Sequence, residues 1–505
     1  MTRAMRLAIL TSILAVAVRL IWIDQPYIDN WSWRQSDVAA ISRNYFQGGF
    51  RFARPQIDWA GNESGYVGTE FPILPFLAAI CYKIFGVHEW IGRVQALILF
   101  ALSLPFFFLL VRKIFGEIAA TWALFFYSFA PLGIMAGRCF MPDMPSLSLS
   151  IIGLYFFVRW IDRGGLKLFA ASAALISLSV LIKATSIIIA APLLYAAVAA
   201  VYDRRKIDFQ KSDGHRPPLQ SLALLATIAL FPSAIWYWHA YQISQQFYPH
   251  HFFGAGGVKI MPLAWYWDIA KQIPTSEMTP VLFLLGAFGV WQARSARLRQ
   301  GYGAAGIGAL YAWLVAVIVF IVVVGFGNRH PWYRLPLVPV FAAFAGAACA
   351  FFAAKIPHRA TRISLSILLI VLFGLPSFVY ARQLYQSTAA PMRDAGLVLK
   401  KVAEPSALLV AADNGDPTIF YYAERKGWHF LEKNGIYNGE PIDGAQAIVD
   451  LEALRKRGAS FVVFTSNTSW WLDYYEIFGQ YVEGTSTLVE ATSEFKIYKL
   501  NPVSK

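Results

Sequence analysis

The chain is short of charge. Asp, Glu, Lys and Arg make up 15% of its 505 residues, against about a quarter in an ordinary soluble protein. A freely soluble globular protein of this length is excluded. Cysteine is scarce too: Cys81, Cys139 and Cys349 are an odd, widely spaced set without a CxxC, which excludes a disulfide framework or a cysteine zinc site. No Walker sequence, GxGxxG in a βαβ setting, HExxH or GxSxG occurs, so ATP- or nicotinamide-driven chemistry finds no support. No internal repeat is evident.

What the chain has is apolar sequence. Hydrophobic residues reach 57% and the mean hydropathy is +0.48. Runs of about 20 apolar residues, or somewhat fewer with snorkelling ends, suit a bilayer. They fall near 7–23, 93–111, 118–136, 145–160, 168–182, 184–202, 219–239, 279–293, 306–326, 333–354 and 361–380, about eleven transmembrane helices in a polytopic α-helical membrane protein. Residues MTRAMR and Leu7–Ile23 have the outline of a signal peptide, with a faint cleavage site at Ala15-Val16-Ala17. The apolar run continues past that site, so it reads as a retained first span.

Between the runs lie Arg3/Arg6, Arg112/Lys113, Arg159/Arg163/Lys167, Arg204/Arg205/Lys206, Arg294/Arg297/Arg299 and Lys355/Arg359/Arg362. One topology puts all six clusters in the cytoplasm. It requires that Phe71–Phe85, with Pro72 and Pro75, is not a span but an interfacial or re-entrant helix. The net charge of +14 is then a matter of topology and anionic headgroups, not of nucleic acid. Three large regions face outward: 24–92, 241–278 and the tail. The first is rich in Trp31, Trp33, Tyr45, Trp59 and Tyr66, as expected of a loop lying on headgroups.

The tail changes character. Leu408–Ala412 and Ile419–Ala423 read as strands, Ala445–Arg457 as a helix capped by Gly458, and Phe461–Thr465 as a strand. The expected division is a transmembrane domain over 1–385, including the first outer loop 24–92 with its interfacial helices, and a small soluble α/β domain over 386–505, outside the cytoplasm.

The outward segments collect Asp29, Asp37, Glu70, Asp143, Lys183, Arg329 and His330. Asp37 is placed at the start of an interfacial helix, where the dipole favours a carboxylate, and Arg34 lies three residues before it. It reads either as a cap with a salt bridge or as a functional acid; Asp29 carries less functional weight. Glu70 stands where an outer loop enters apolar sequence, a costly place for an acid that is neither paired nor used. Asp143 sits in the short turn Gly137-Arg138-Cys-Phe-Met-Pro-Asp143-Met-Pro145, as a helix cap or a site acid; capping leaves Arg138 unexplained. Lys183 has only Thr185 and Ser186 as polar neighbours in sequence. It reads as a snorkelling lysine or as a point charge for a phosphate. Arg329, His330, Tyr333 and Arg334 enter a span carrying Pro336 and Pro339, as an interface belt or a cavity wall.

In this order the features resemble bacterial membrane glycosyltransferases of the GT-C superfamily: glycosyltransferase family 39, protein mannosyltransferase-like proteins and the aminoarabinose transferase of lipid A. The resemblance rests on the first span, the long outer loop with an early acid, Ala39-Ala40-Ile41-Ser42-Arg43, the Pro-rich re-entry and Met141-Pro-Asp143-Met-Pro145. It covers about residues 1–380, and the tail is similar to the soluble outer domains some members carry. The resemblance implies transfer of a sugar from a polyprenyl-phosphate donor to a lipid, glycan or protein acceptor. The setting would be the periplasmic face of the bacterial cytoplasmic membrane, and the reaction commonly inverts the anomeric centre. It assigns the base to the first-loop acid, here Asp37, with Asp143 in support, and phosphate or substrate contacts to Arg34, Glu70, Arg138, Lys183, Arg329, His330 and Tyr333. The chain departs from the usual Asp-Glu pair, whose positions hold Arg34 and Gln35; Asp37 lies one turn later. Glu70 replaces the lysine that the aminoarabinose transferase has before its prolines, and Lys183 is the candidate for the missing cation. No cofactor is required, though outer carboxylates suit Mg²⁺ or Mn²⁺. The alternatives are an O-antigen polymerase or ligase built on Arg329 and His330, and, last, a transporter, which would keep its charges near mid-membrane and often show inverted repeats.

Overall fold

The computed structural model describes residues 2–206, 219–252, 257–297, 301–433 and 435–502. Arg299 lies outside them, and only the backbone is described for Arg204, Arg205, Lys206 and Arg297. The chain divides into two compact units. One comprises Met1–Ile23, Arg93–Trp236 and Gly254–Gln383; the other comprises Asp24–Gly92, Tyr237–Phe253 and Leu384–Lys505.

The first unit is helical. Among the described residues six helices are long and apolar enough to cross a membrane: Glu89–Phe115, Asp143–Arg163, Gln220–Gln246, Gly306–Val324, Leu337–Lys355 and Arg359–Leu384. A seventh arises if Leu263–Glu277 and Pro280–Arg294, bent by 111°, count as one. The other expected spans are helical but shorter, broken or richer in charge. The run 118–136 is one of these: it breaks into Glu117–Phe129 and Pro131–Ala136. Pro131 lacks an N–H and its ring would clash with a carbonyl one turn back. Carbonyls near the break accept from a buried cation. Arg19 donates to Ser128 O at 3.0 Å and Gly133 O at 2.8 Å, with its guanidinium 3.6 Å from the Phe100 ring centre. Small residues bring helices close, as is common in bilayers. A Cβ on Gly346 would stand 2.2 Å from Ala119 O, and one on Gly289 2.0 Å from Phe344 O.

The second unit corrects the expected domain boundary. The first outer loop and the tail share one hydrophobic core, in which Ile41, Tyr45, Ile57, Trp59 and Val67 pack with Met392, Leu399, Phe420, Phe461 and Ile497. Trp31, Tyr45 and Trp59 are therefore buried rather than spread on headgroups. Five strands form a sheet: β1 (Leu408–Ala412), β2 (Gly427–His429), β5 (Ala459–Thr465), β6 (Ser486–Ala491) and β7 (Phe495–Leu500), in the order β2-β1-β5-β7-β6. β1 runs parallel to β2 and β5, and β7 antiparallel to β5 and β6. β3 (Glu432–Lys433) and β4 (Ile436–Tyr437) make a separate ribbon.

Residues 419–423 belong to a helix, Thr418–Ala423, not to the expected strand. Asp416 starts it by accepting from Thr418 N–H at 2.9 Å, and Glu424 ends it in the left-handed conformation. The strand comes later, as β2, whose outer edge is met by the first loop: Gly61 N–H donates to Gly427 O at 2.7 Å and Gly427 N–H to Asp58 O at 3.0 Å. A covered edge strand cannot template pairing with another chain. The stretch Phe71–Phe85 is a helix over Ile73–Phe85, 13 residues long. At about 1.5 Å per residue that is too short to cross a bilayer core of about 30 Å. It packs on the helix Ser32–Gln47 through Phe46–Tyr82 and Tyr45–Phe76 ring contacts.

Candidate active site

The helical unit contains a small, partly open cleft of about 20 Å³. Asp143, Lys183, Thr185, Ser186 and Tyr333 line it, with Leu147, Ile188, Phe320, Trp332, Leu335 and Pro336 as its apolar wall. Lys183, whose polar neighbours in sequence are only Thr185 and Ser186, has an acid beside it in space. Its Nζ is 3.0 Å from Asp143 Oδ1, with both side chains buried, and 4.4 Å from the centre of the Tyr333 ring. Local structure aims it there. The helix Leu166–Ile182 ends at Lys183, whose backbone is extended, and a 3₁₀ turn follows over Ala184–Ile189. Serines tie this break to the helix that Asp143 opens: Ser146 Oγ donates to Ser179 O at 2.7 Å, and Ser150 Oγ lies 2.7 Å from Ser179 Oγ. Asp143 sits in the first turn of Asp143–Arg163, where the helix dipole favours its charge. Its other oxygen, Oδ2, is buried without a hydrogen-bond partner.

Arg138 is wholly buried and donates to Trp22 O, tying the turn to the end of the first helix. Arg329 is exposed, and His330 stacks on Trp332 with ring centres 4.4 Å apart. The buried arginine of that segment is Arg334, not flagged for the site. It pairs with Glu277 through Nε–Oε1 at 2.6 Å and donates to Gln272 Oε1 at 3.0 Å.

The second unit holds Asp37. The helix carrying it, Ser32–Gln47, begins five residues earlier, so Asp37 is not in the first turn and the dipole argument does not apply to it. Asp29 serves the helix start instead: its Oδ1 accepts from Trp31 N–H at 3.0 Å and Gln35 Nε2 at 2.8 Å. Arg34 pairs with Glu70 at 2.6 Å rather than with Asp37, and Thr69 Oγ1 donates to the other Glu70 oxygen at 3.1 Å. Asp37 is buried and accepts from Trp59 Nε1 at 2.9 Å. Burial pushes its carboxyl up to about 6, and the Asp58 carboxylate adds to this; the Trp59 hydrogen bond and the charges of Arg34 and His429 act against it.

Residues not picked from sequence surround Asp37. The Trp59 ring contacts His251 and His429, with centres 5.4 and 5.2 Å apart. His429 Nδ1 lies 2.8 and 2.9 Å from the two oxygens of Asp413. Arg43 pairs with Asp58 at 2.5 Å. Asp416, pushed up to about 6 by burial, accepts from Ser32 Oγ at 2.7 Å. One signal was available for the acids: Asp413 and Asp416 follow directly on β1, and the carboxyl ends of parallel strands are where α/β sheets build sites. His429 had none, because only strand pairing brings it beside Asp413. Among the described residues no three His, Cys, Asp or Glu side chains converge as metal ligands.

A family model described as dolichyl-phosphate-mannose-protein mannosyltransferase matches residues 69–238. No curated protein sequence matches the chain. ArnT from Cupriavidus metallidurans, solved bound to undecaprenyl phosphate, is similar at a TM-score of 0.66 and 14% identity, covering 97% of each chain. The oligosaccharyltransferase of Archaeoglobus fulgidus, in its apo form, is similar at a TM-score of 0.63 and 15% identity, covering 99% of this chain and 74% of that one. The same archaeal enzyme, AglB, solved with an inhibitory peptide and a dolichol-phosphate, is similar at 0.61 and 14%, with the same coverage. The chain has the GT-C membrane fold, with a small sheet in its C-terminal part.

Proposed function

We propose, with the GT-C fold as premise, that this protein transfers a sugar from a polyprenyl-phosphate donor to an acceptor at the periplasmic face of the bacterial cytoplasmic membrane, with inversion. The solved structures of similar fold hold undecaprenyl phosphate in one case and dolichol-phosphate in another, which supports a lipid-phosphate donor here. The observation that carries the reading is the buried Lys183 in its cleft, braced by Asp143 and Tyr333. A buried ammonium is costly unless its charge is used or paired. Here Asp143 holds it in place, and a phosphate entering the cleft meets a fixed point charge. Apolar walls from Leu147, Ile188, Phe320, Trp332 and Leu335 suit the first prenyl units.

Asp37 is assigned the general base. As the acceptor hydroxyl attacks C1 of the sugar, Asp37 takes its proton. The bond from C1 to the phosphate oxygen breaks, and the polyprenyl phosphate leaves with the electron pair, a charge that a fixed cation stabilises. A carboxyl held near 6 is ionised at neutral pH and still basic enough to accept a proton. Asp143 supports the reaction by orienting Lys183.

Two variants test the roles separately. Lys183→Met keeps much of the side chain's length and removes its charge, so the affinity for undecaprenyl phosphate falls while expression holds. Unchanged affinity returns Lys183 to a structural role. Asp37→Asn loses about two to four orders of magnitude in turnover with lipid-phosphate binding retained. Full activity in that variant removes Asp37 as base and moves the role to Glu70, Asp29 or Asp143.

A further inference from the structure

The environment of Asp37 is built in part by the C-terminal segment. Asp413 follows β1 directly, and His429 ends β2, the parallel neighbour of β1, with Ala411 opposite His429 in register. That pairing puts an acid and an imidazole side by side at the carboxyl ends of two parallel strands. Both Asp413 oxygens reach His429 Nδ1, at 2.8 and 2.9 Å, which fixes the ring and assigns the Nδ1 proton to the shared contact. Phe420 packs edge-on against the same ring at 5.4 Å. The imidazole is then held against Trp59, 5.2 Å away between ring centres. Trp59 spends its single N–H on Asp37 Oδ1, at 2.9 Å, and an indole can donate but not accept.

We infer that His429 is a positioning residue for Asp37: held by Asp413, it fixes the Trp59 indole that donates to Asp37. The inference rests on the reading of Asp37 as general base, but the coupling it describes is measurable without turnover.

Around Asp37, Arg34 and His429 favour ionisation, while burial and Asp58 oppose it. Around His429, burial opposes the charged form, but Asp413, Asp37 and Asp416 together outweigh it and raise the imidazole above its ordinary value. His251, the other imidazole on Trp59, behaves differently. Burial, Arg34 and His429 lower it to about 4 against the opposing pull of Glu70, so it is neutral near pH 7 and contributes packing rather than charge. Of the two histidines on Trp59, only His429 is raised.

The test is an infrared pH titration of the full-length protein in lipid nanodiscs. The band of the protonated Asp37 carboxyl is identified by its loss in Asp37→Asn. In His429→Gln that band titrates at higher pH than in the unaltered protein, by about half a unit or more. Asp413→Asn, which removes the carboxylate that holds the His429 ring, moves it in the same direction and serves where His429→Gln does not fold. His251→Gln leaves it in place. An unmoved Asp37 band in both His429→Gln and Asp413→Asn overturns the inference. The two readings fail separately. A moved band together with full glycosyl transfer in Asp37→Asn sinks the base assignment and leaves the coupling. An unmoved band together with lost transfer in Asp37→Asn does the reverse.

Discussion

At Asp37 the fold holds an acid whose ionisation opposes folding. Its carboxyl rises from 3.8 to about 6 on burial, so the folded chain binds the proton more tightly than the unfolded chain does. The stability this contributes is present in full below 3.8 and is lost as pH rises through 6. At neutral pH the ionised group costs about 3 kcal/mol, an upper figure. Asparagine keeps an acceptor for Trp59 Nε1 and never ionises. Asp37→Asn is therefore expected to raise the melting temperature near pH 7 while abolishing transfer, with the gain shrinking towards about pH 4. Thermal melts of the purified protein at the two pH values check this; a lower melting temperature near pH 7 would show that burial does not dominate at this site. The same titration predicts that turnover falls as pH drops through about 6, because the protonated acid cannot take the acceptor's proton.

Among elements, the contact between the first outer loop and the outer edge of β2 leaves no slack. Gly61 has a φ of +58°, and a Cβ there would stand 1.9 Å from Cζ2 of Trp428. Trp428 is fully buried in β2 and cannot retreat. Gly61→Ala thus adds a left-handed alanine, at about 1–2 kcal/mol, to an overpacked core, at about 1–3 kcal/mol. Gly49 is the control: its φ of +87° also favours glycine, but nothing lies within 4 Å of its Cβ position. Gly61→Ala is expected to lower the melting temperature more than Gly49→Ala and to open residues 58–68 to protease. Equal effects would assign the whole cost to backbone conformation. Gly346 makes a comparable approach in the helical unit, 2.2 Å from Ala119 O, where a larger residue would force two helices apart.

For the whole molecule, the second unit constrains topology. Residues 24–92, 237–253 and 384–505 form one folded body, and a bilayer cannot pass through a packed core. All three segments therefore lie on one side, and the chain crosses an even number of times in each of the two stretches between them. The eleven spans expected from the sequence satisfy this: six fall between the first and second segments and four between the second and third. Counting Phe71–Phe85 as another would cut through the core that Tyr45 and Trp59 share with the tail. The side proposed for it is outside the cytoplasm, which leaves all six basic clusters inside. A reporter active only in the periplasm, fused to the C-terminus, is expected to be active, and one fused within residues 24–92 should agree with it. A pair of fusions that disagree would break the single-body account. Removing residues 386–505 is expected to leave the first loop susceptible to protease, because most of the core it packs into leaves with them.

The sequence by itself determined the membrane class, the helical segments, the first and third strand runs of the tail, and the residues worth weighing as a site. These follow from local properties: apolar runs long enough for a bilayer, basic residues between them, and turn residues between strands. Tertiary structure alone decided how those residues meet. Lys183 and Asp143 were each legible, but their pairing needed a helix to end at Lys183 and serines to hold two helices together. Asp37 was legible; Trp59, His429 and Asp413 around it were not, since they come from a loop and two strands far along the chain. The aromatic loop pointed to headgroups because burial depends on what a surface meets, and the covering surface lies more than three hundred residues away in the tail. Short-range pattern fixed the elements, and long-range packing chose the neighbours that give each acid and base its environment.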